Sequence, residues 1–137
     1  MIRVMIVEDD PMVASVNETY LSRLPGFCVI AKAADGLQAL EKIKALSGSV
    51  DLVLLDVFMP KMDGLSFLEH LKNLAPSVSV IMITASQNKE SLRTALAHGV
   101  ADYIIKPFTF ERFKAALLTF AERWRLLHEA EDFDQSD

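Results

Sequence analysis

One cysteine is all this chain of 137 residues holds. Cys28 can form no disulfide within the chain and no thiolate metal cage, which suits a cytoplasmic protein and leaves it as a small buried filler on a strand. Long apolar runs are missing too. None approaches the ~18 residues that cross a bilayer, so no membrane role is expected. The opening Met1 to Val7 carries Arg3 and no small-residue cleavage site, and reads as a first strand instead of a leader. Positive charge is scarce: 14 Lys and Arg stand against 19 Asp and Glu, for a net charge of -5. That excludes a broad basic surface for nucleic acid, so any DNA contact needs another segment. There is no internal repeat and no linker. With 51% hydrophobic and 24% charged residues, the chain has the composition of one globular domain with its own core.

Apolar runs alternate with helical patterns five times. Arg3 to Val7 reads as a strand; Met12, Val13, Val16, Tyr20 and Leu24 then recur at helical spacing until Pro25-Gly26. Phe27 to Ala34 is a second strand, followed by a helix from Asp35 to Leu46 with Leu37, Leu40, Ile43 and Leu46 on one face. Val50 to Val57 is the most uniformly apolar strand, as expected of one buried on both sides. Asp63-Gly64 opens a helix carrying Leu65, Leu68 and Leu71 that ends before Pro76. Val78 to Thr84 is a fourth strand, and its helix runs through Leu92, Ala95 and Leu96 to a left-handed cap at Gly99. Ala101 to Lys106 is a fifth, and the last helix runs from beyond Pro107 to about Ala130. Such alternation with short connections predicts an α/β fold, a parallel sheet between two layers of helices.

In an open parallel sheet the functional crevice lies outside the carboxyl ends of the strands. Asp9 ends the first strand, Asp56 the third, Thr84 the fourth and Lys106 the fifth, so all four share one edge with Glu8 and Asp10. Several carboxylates in one pocket cannot all stay ionised without compensation. An all-oxygen donor set points to a hard divalent cation, Mg²⁺ before Ca²⁺ or Mn²⁺. Lys106 adds positive charge. Helix capping competes with this reading at Asp10, just ahead of the first helix, and at Asp35 and Asp63, each in an Asp-Gly turn. Asp56 would be misplaced as a cap, because Val57, Phe58 and Met59 follow it and Pro60 delays any helix. Which two of Glu8, Asp9 and Asp10 face the metal is left open by strand alternation, since the strand is ending there.

Glu8-Asp9, Asp56, Thr84 and Lys106-Pro107, with Tyr103 three residues before the lysine, resemble the receiver domain of two-component response regulators. The resemblance covers the chain from Met1 to about Leu127. The stretches VEDDPMV, LLDVFMPKMDGLSFL, ITAS and DYIIKPFTFERF are similar to the regulators paired with citrate- and C4-dicarboxylate-sensing kinases. The resemblance implies a flavodoxin-like doubly wound sheet of five strands in the order 2-1-3-4-5 with five helices. Residues 1–127 would be the receiver and 128–137 a frayed acidic tail or the start of a linker. A C-terminal DNA-binding domain would lie outside this chain.

The same resemblance implies roles. Asp56 would accept a phosphoryl group from the phosphohistidine of a sensor histidine kinase. Glu8, Asp9, Asp56 and the backbone carbonyl of Phe58 would hold Mg²⁺, which places the metal pair at Glu8 and Asp9 with Asp10 next in line. Lys106 would clamp the phosphoryl group, Thr84 would donate its hydroxyl to it, and Tyr103 would follow Thr84 inward. The Lys106-Pro107 bond is expected to be cis on this ground alone. The surface of helix four, strand five and helix five would change, making the chain a signalling switch, not an enzyme. Along the last helix Phe110, Phe113, Leu117, Phe120, Trp124 and Leu127 are spaced 3, 4, 3, 4 and 3. The first four can pack on the sheet, and the last two overrun it toward a partner helix, so a homodimer is one expectation and core packing the other.

Three other readings compete. A flavin-binding domain shares the topology but needs a Ser/Thr/Gly-rich phosphate loop where this chain has Glu8-Asp9-Asp10-Pro11. A phosphohydrolase with an aspartate nucleophile usually carries a second acid two residues on, where Phe58 stands. A stand-alone receiver would act through protein contacts without DNA.

Overall fold

The computed structural model describes residues 1–56, 62, 64–85 and 89–136, with side chains for all of these except 91 and 130–136. The elements run β1 (Ile2–Val7), α1 (Pro11–Ser22), β2 (Phe27–Ala33), α2 (Gly36–Ala45), β3 (Leu52–Leu55), α3 (Gly64–Leu74), β4 (Ser79–Thr84), α4 (Lys89–Ala97), β5 (Asp102–Ile105) and α5 (Phe110–Ser136). The strands form one sheet in the order β2-β1-β3-β4-β5, and every neighbouring pair is parallel. This is the doubly wound order expected.

Period-two alternation splits the apolar strand residues between two cores. Ile2, Val4, Ile6, Leu52, Leu54, Ile81, Ile83 and Ile104 lie on one face with Ala14 and Leu21 of α1 and Phe113, Leu117 and Phe120 of α5. Met5, Val7, Val53, Leu55, Val80 and Met82 lie on the other with Ala39 and Ile43 of α2, Phe67, Leu68 and Leu71 of α3, and Ala95 of α4. A sheet buried on both faces explains why β3 is wholly apolar.

Single positions on three helices depart from the expected face, while Leu24, Ile43 and Ala95 are buried as expected and Tyr20, Leu40 and Leu46 pack against the cores. In α1 Met12 and Val16 are exposed, while Ala14, Asn17 and Leu21 are buried. The buried stripe continues to Leu24, so its spacing is 3, 4 and 3 with a polar residue inside it. In α2 Leu37 is exposed and Ala39 takes the core position. In α4 Leu96 is exposed beside buried Ala95. At these positions Ala14, Ala39 and Ala95 are buried while Met12, Leu37 and Leu96 are left outside. Gly99 ends the α4 turn at φ 81° as expected. The helix α5 continues past Ala130 to Ser136.

The edge of the sheet opposite the carboxyl ends is closed by Arg3. Its Nε and Nη2 donate to Asp51 at 2.9 and 3.0 Å, and its backbone N–H donates to the same carboxylate at 2.8 Å. Burial alone would raise the Asp51 carboxyl, but these bonds outweigh it and hold the group below its usual range. No described helix is long and apolar enough to cross a membrane.

Candidate metal and phosphoryl site

Register alone brings the acids together. Val7 stands opposite Leu55 across β1 and β3, and the Asp56 N–H donates to the Val7 carbonyl at 3.0 Å. Glu8 is tied on its other side, its N–H donating to the Ala33 carbonyl of β2 at 3.0 Å. Both chains leave the sheet at the same level, so the two side chains emerge side by side. Across β4 and β5, Thr84 pairs with Ile105, and the Lys106 N–H donates to the Thr84 carbonyl at 2.9 Å. The parallel ladder, not any local motif, sets the constellation.

Carboxylate oxygens of Glu8, Asp9 and Asp56 lie within 4.8 Å of one another. Glu8, Asp56 and Thr84 are buried, and Asp9 stands at the exposed rim. The Lys106 ammonium donates to Glu8 Oε1 at 2.9 Å and lies 3.5 Å from Asp56 Oδ2. Burial would depress this lysine. The Glu8 hydrogen bond and the charges of Asp56 and Glu8 reverse that, so its pKa is raised. The Asp9 carboxyl is also raised, by partial desolvation first and then by its hydrogen bond to and repulsion from Glu8.

Asp10 does what a capping residue does: its Oδ1 accepts the Met12 N–H at 2.9 Å at the start of α1. Its own N–H donates to Glu8 Oε2 at 3.2 Å, which fixes the Glu8 carboxylate. Asp35 caps α2 in the same way, accepting from the Gln38 N–H at 2.9 Å. Tyr103 is half-buried on β5 against the second core, and its carbonyl accepts from Arg112 Nη2 at 2.8 Å. The Lys106-Pro107 peptide bond is cis. The Phe58 carbonyl and Asp63 fall outside the described residues.

The donor set suits a divalent cation of the hard kind. All three side chains offer oxygen only, and three carboxylates against one ammonium leave two formal negative charges for the ion to cancel. A phosphoryl group would likewise meet a nucleophilic carboxylate flanked by a cation. The residue that pattern reading missed is Asn17, 2% exposed in the α1 stripe, with its Oδ1 unpartnered among the described residues. The available signal was the 3, 4, 3 spacing of Ala14, Asn17, Leu21 and Leu24, which a search for apolar residues passes over.

Fold and site together define a class: flavodoxin-like α/β proteins with an acidic site and a lysine at the carboxyl edge of the sheet. The family description "Response regulator receiver domain" matches residues 4–118, and the chain belongs to that family. It is 42% identical over 135 residues to the probable C4-dicarboxylate response regulator DctR of Halalkalibacterium halodurans, covering 98% of this chain and 58% of that protein. It is 36% identical to the transcriptional regulatory protein DcuR of Escherichia coli K12, covering 100% of this chain and 57% of the relative. The chain thus spans under three fifths of the length of these curated relatives. Among solved structures, a chain of the CheX–CheY–BeF₃–Mg complex of Borrelia burgdorferi superposes with a TM-score of 0.82 at 29% identity, covering 87% of this chain and 88% of that one. The protein is a receiver domain of a two-component response regulator, a signalling switch whose relatives regulate transcription.

Proposed function

We propose that Asp56 is the phosphoacceptor. Its carboxylate oxygen attacks the phosphorus of a kinase phosphohistidine, the P–N bond breaks, and the imidazole leaves as an acyl phosphate forms on Asp56. Glu8, Asp9 and Asp56, with the Phe58 carbonyl, would hold Mg²⁺, which when bound neutralises charge on the acceptor and phosphoryl oxygens. Lys106 contributes a second cation that can follow the phosphoryl group because an ammonium is a point charge on a flexible stem. Thr84 supplies a hydroxyl to a phosphoryl oxygen, and Tyr103 responds to the movement of Thr84. The surface formed by α4, β5 and α5 is the output, and a second copy of the chain pairs through it.

By extension from the relatives, the whole protein is a cytoplasmic transcription regulator of C4-dicarboxylate or citrate metabolism, served by a sensor histidine kinase and bound to DNA through a further domain. Residues 1–127 form the receiver, and residues 128–137 begin the connection beyond it. The observation that carries the proposal is the convergence of the Glu8, Asp9 and Asp56 oxygens within 4.8 Å, with the Lys106 ammonium 3.5 Å from Asp56. Acetyl phosphate labelling tests it. Label should enter the parent chain only with Mg²⁺ present and should be lost in Asp56→Asn; undiminished labelling of that variant removes the assignment.

A further inference from the structure

Asn17 is the buried polar group that the proposed chemistry leaves unused. It lies in the middle of the α1 core stripe at 2% exposure, and its Oδ1 accepts no hydrogen bond among the described residues. A buried acceptor without a donor costs free energy in whichever state leaves it so. Asn17 is also among the residues of an open groove that has Met12, Val13 and Val16 of α1 on one side and Lys106, Pro107 and Phe108 on the other. The candidate donors on that second wall are few. The Lys106 ammonium is committed to Glu8 and Asp56, and proline has no N–H. The first backbone donor beyond it, the Phe108 N–H, pairs with no backbone carbonyl among the described residues. Asn17, whose buried Oδ1 is unpartnered among the described residues, and Phe108 therefore line one groove beside the lysine of the site.

We propose that Asn17 is a positioning residue of the switch: its Oδ1 accepts the Phe108 N–H in the phosphorylated state and not in this one. The inference rests on Asp56 being the phosphoacceptor. A phosphoryl group on Asp56 adds negative charge that draws the Lys106 ammonium away from Glu8. That movement carries the Pro107-Phe108 backbone with it, since among the described residues the one backbone bond from Lys106 to the sheet is its N–H to the Thr84 carbonyl. A hydrogen bond made in one state alone shifts the equilibrium toward that state by its own free energy. Asn17 would thus set how readily the site adopts its phosphorylated form without touching the phosphoryl group.

Asn17→Leu removes the amide at similar volume and gives two opposite expectations. Without metal or phosphoryl mimic the variant should melt at a higher temperature than the parent, because the unpaired acceptor is gone. Its affinity for beryllofluoride with Mg²⁺ should fall by about tenfold, because the second state has lost its bond. Asn17→Ser, which keeps an acceptor oxygen, should recover part of that affinity relative to Asn17→Ala, and this pair decides the matter if the leucine variant does not fold. In the parent, the Phe108 amide proton should move downfield on beryllofluoride binding, and in Asn17→Leu it should not. Unchanged beryllofluoride affinity in Asn17→Leu, or equal affinities for the serine and alanine variants, overturns the inference and makes Asn17 a core residue satisfied equally in both states. If the parent itself binds beryllofluoride no better than Asp56→Asn, the phosphoacceptor reading fails and this inference fails with it.

Discussion

Glu8 shows how one residue can hold three others in place. Its Oε1 takes the Lys106 ammonium, its Oε2 takes the Asp10 N–H, and the same carboxylate raises the proton affinity of Asp9. Partial desolvation first, and then Glu8, make Asp9 costly to ionise when no cation is bound. A carboxyl whose pKa is higher folded than unfolded costs nothing below the unfolded value, roughly pH 4, and its full cost applies once pH exceeds the folded value. Asp9→Asn should therefore melt higher than the parent at neutral pH without metal, and the gap should close as pH falls below about 4. Added MgCl₂ should reverse the order, raising the parent more than the variant; thermal melts at several pH values with and without magnesium read both effects. A parent that melts above the variant without metal would show Asp9 to be favourably placed already. The acids were legible in the sequence because each interrupts an apolar run where a strand must end. Asn17 was harder to see, since a search for apolar periodicity passes over a polar member of the 3, 4, 3 stripe.

Helix orientation was the least legible feature among the elements. Met12 and Val16 satisfy helical spacing as well as Ala14, Asn17 and Leu21 do, and spacing alone does not choose between the two stripes. The same competition leaves Leu37 and Leu96 exposed while Ala39 and Ala95 are buried. The last helix was easier, because Phe113, Leu117 and Phe120 are large and regularly spaced, and all three are buried. Phe113 is the pivot of that packing. Its ring lies 5.4 Å from Tyr20 and 6.0 Å from Phe108, so it ties α1, α5 and the segment after Lys106 into one aromatic cluster. Phe113→Ala should destabilise the chain by about 3–5 kcal/mol, measured by urea unfolding. A loss below about 1 kcal/mol would mean that Tyr20 and Phe108 collapse into the vacated space.

At the scale of the whole molecule, alternating strands and helices with short connections made the layered parallel sheet legible, and the resemblance supplied its strand order. Association was harder to read, because most of the apolar seam on the last helix is spent inside the molecule. Phe113, Leu117 and Phe120 face the sheet and Trp124 packs against the same core, which leaves Leu127 as the exposed member. What remains for a second copy is the surface around the edge strand. β5 ends the sheet, α4 leaves Leu96 exposed and α5 leaves Leu118 exposed, while Arg112 binds the Tyr103 carbonyl and lies 3.6 Å from Asp102 on the strand between them. Two leucines flanked by charge are a small patch, too small to hold a dimer unaided. The proposed pairing therefore has to be conditional on the site. In light scattering the parent should be monomeric alone and dimeric with beryllofluoride and Mg²⁺. Leu96→Glu combined with Leu118→Glu should stay monomeric under both conditions with its fold retained, since both side chains are partly exposed. A parent that remains a monomer at high concentration with the phosphoryl mimic bound ends the dimer proposal, and the output of the switch must then be read by a different partner.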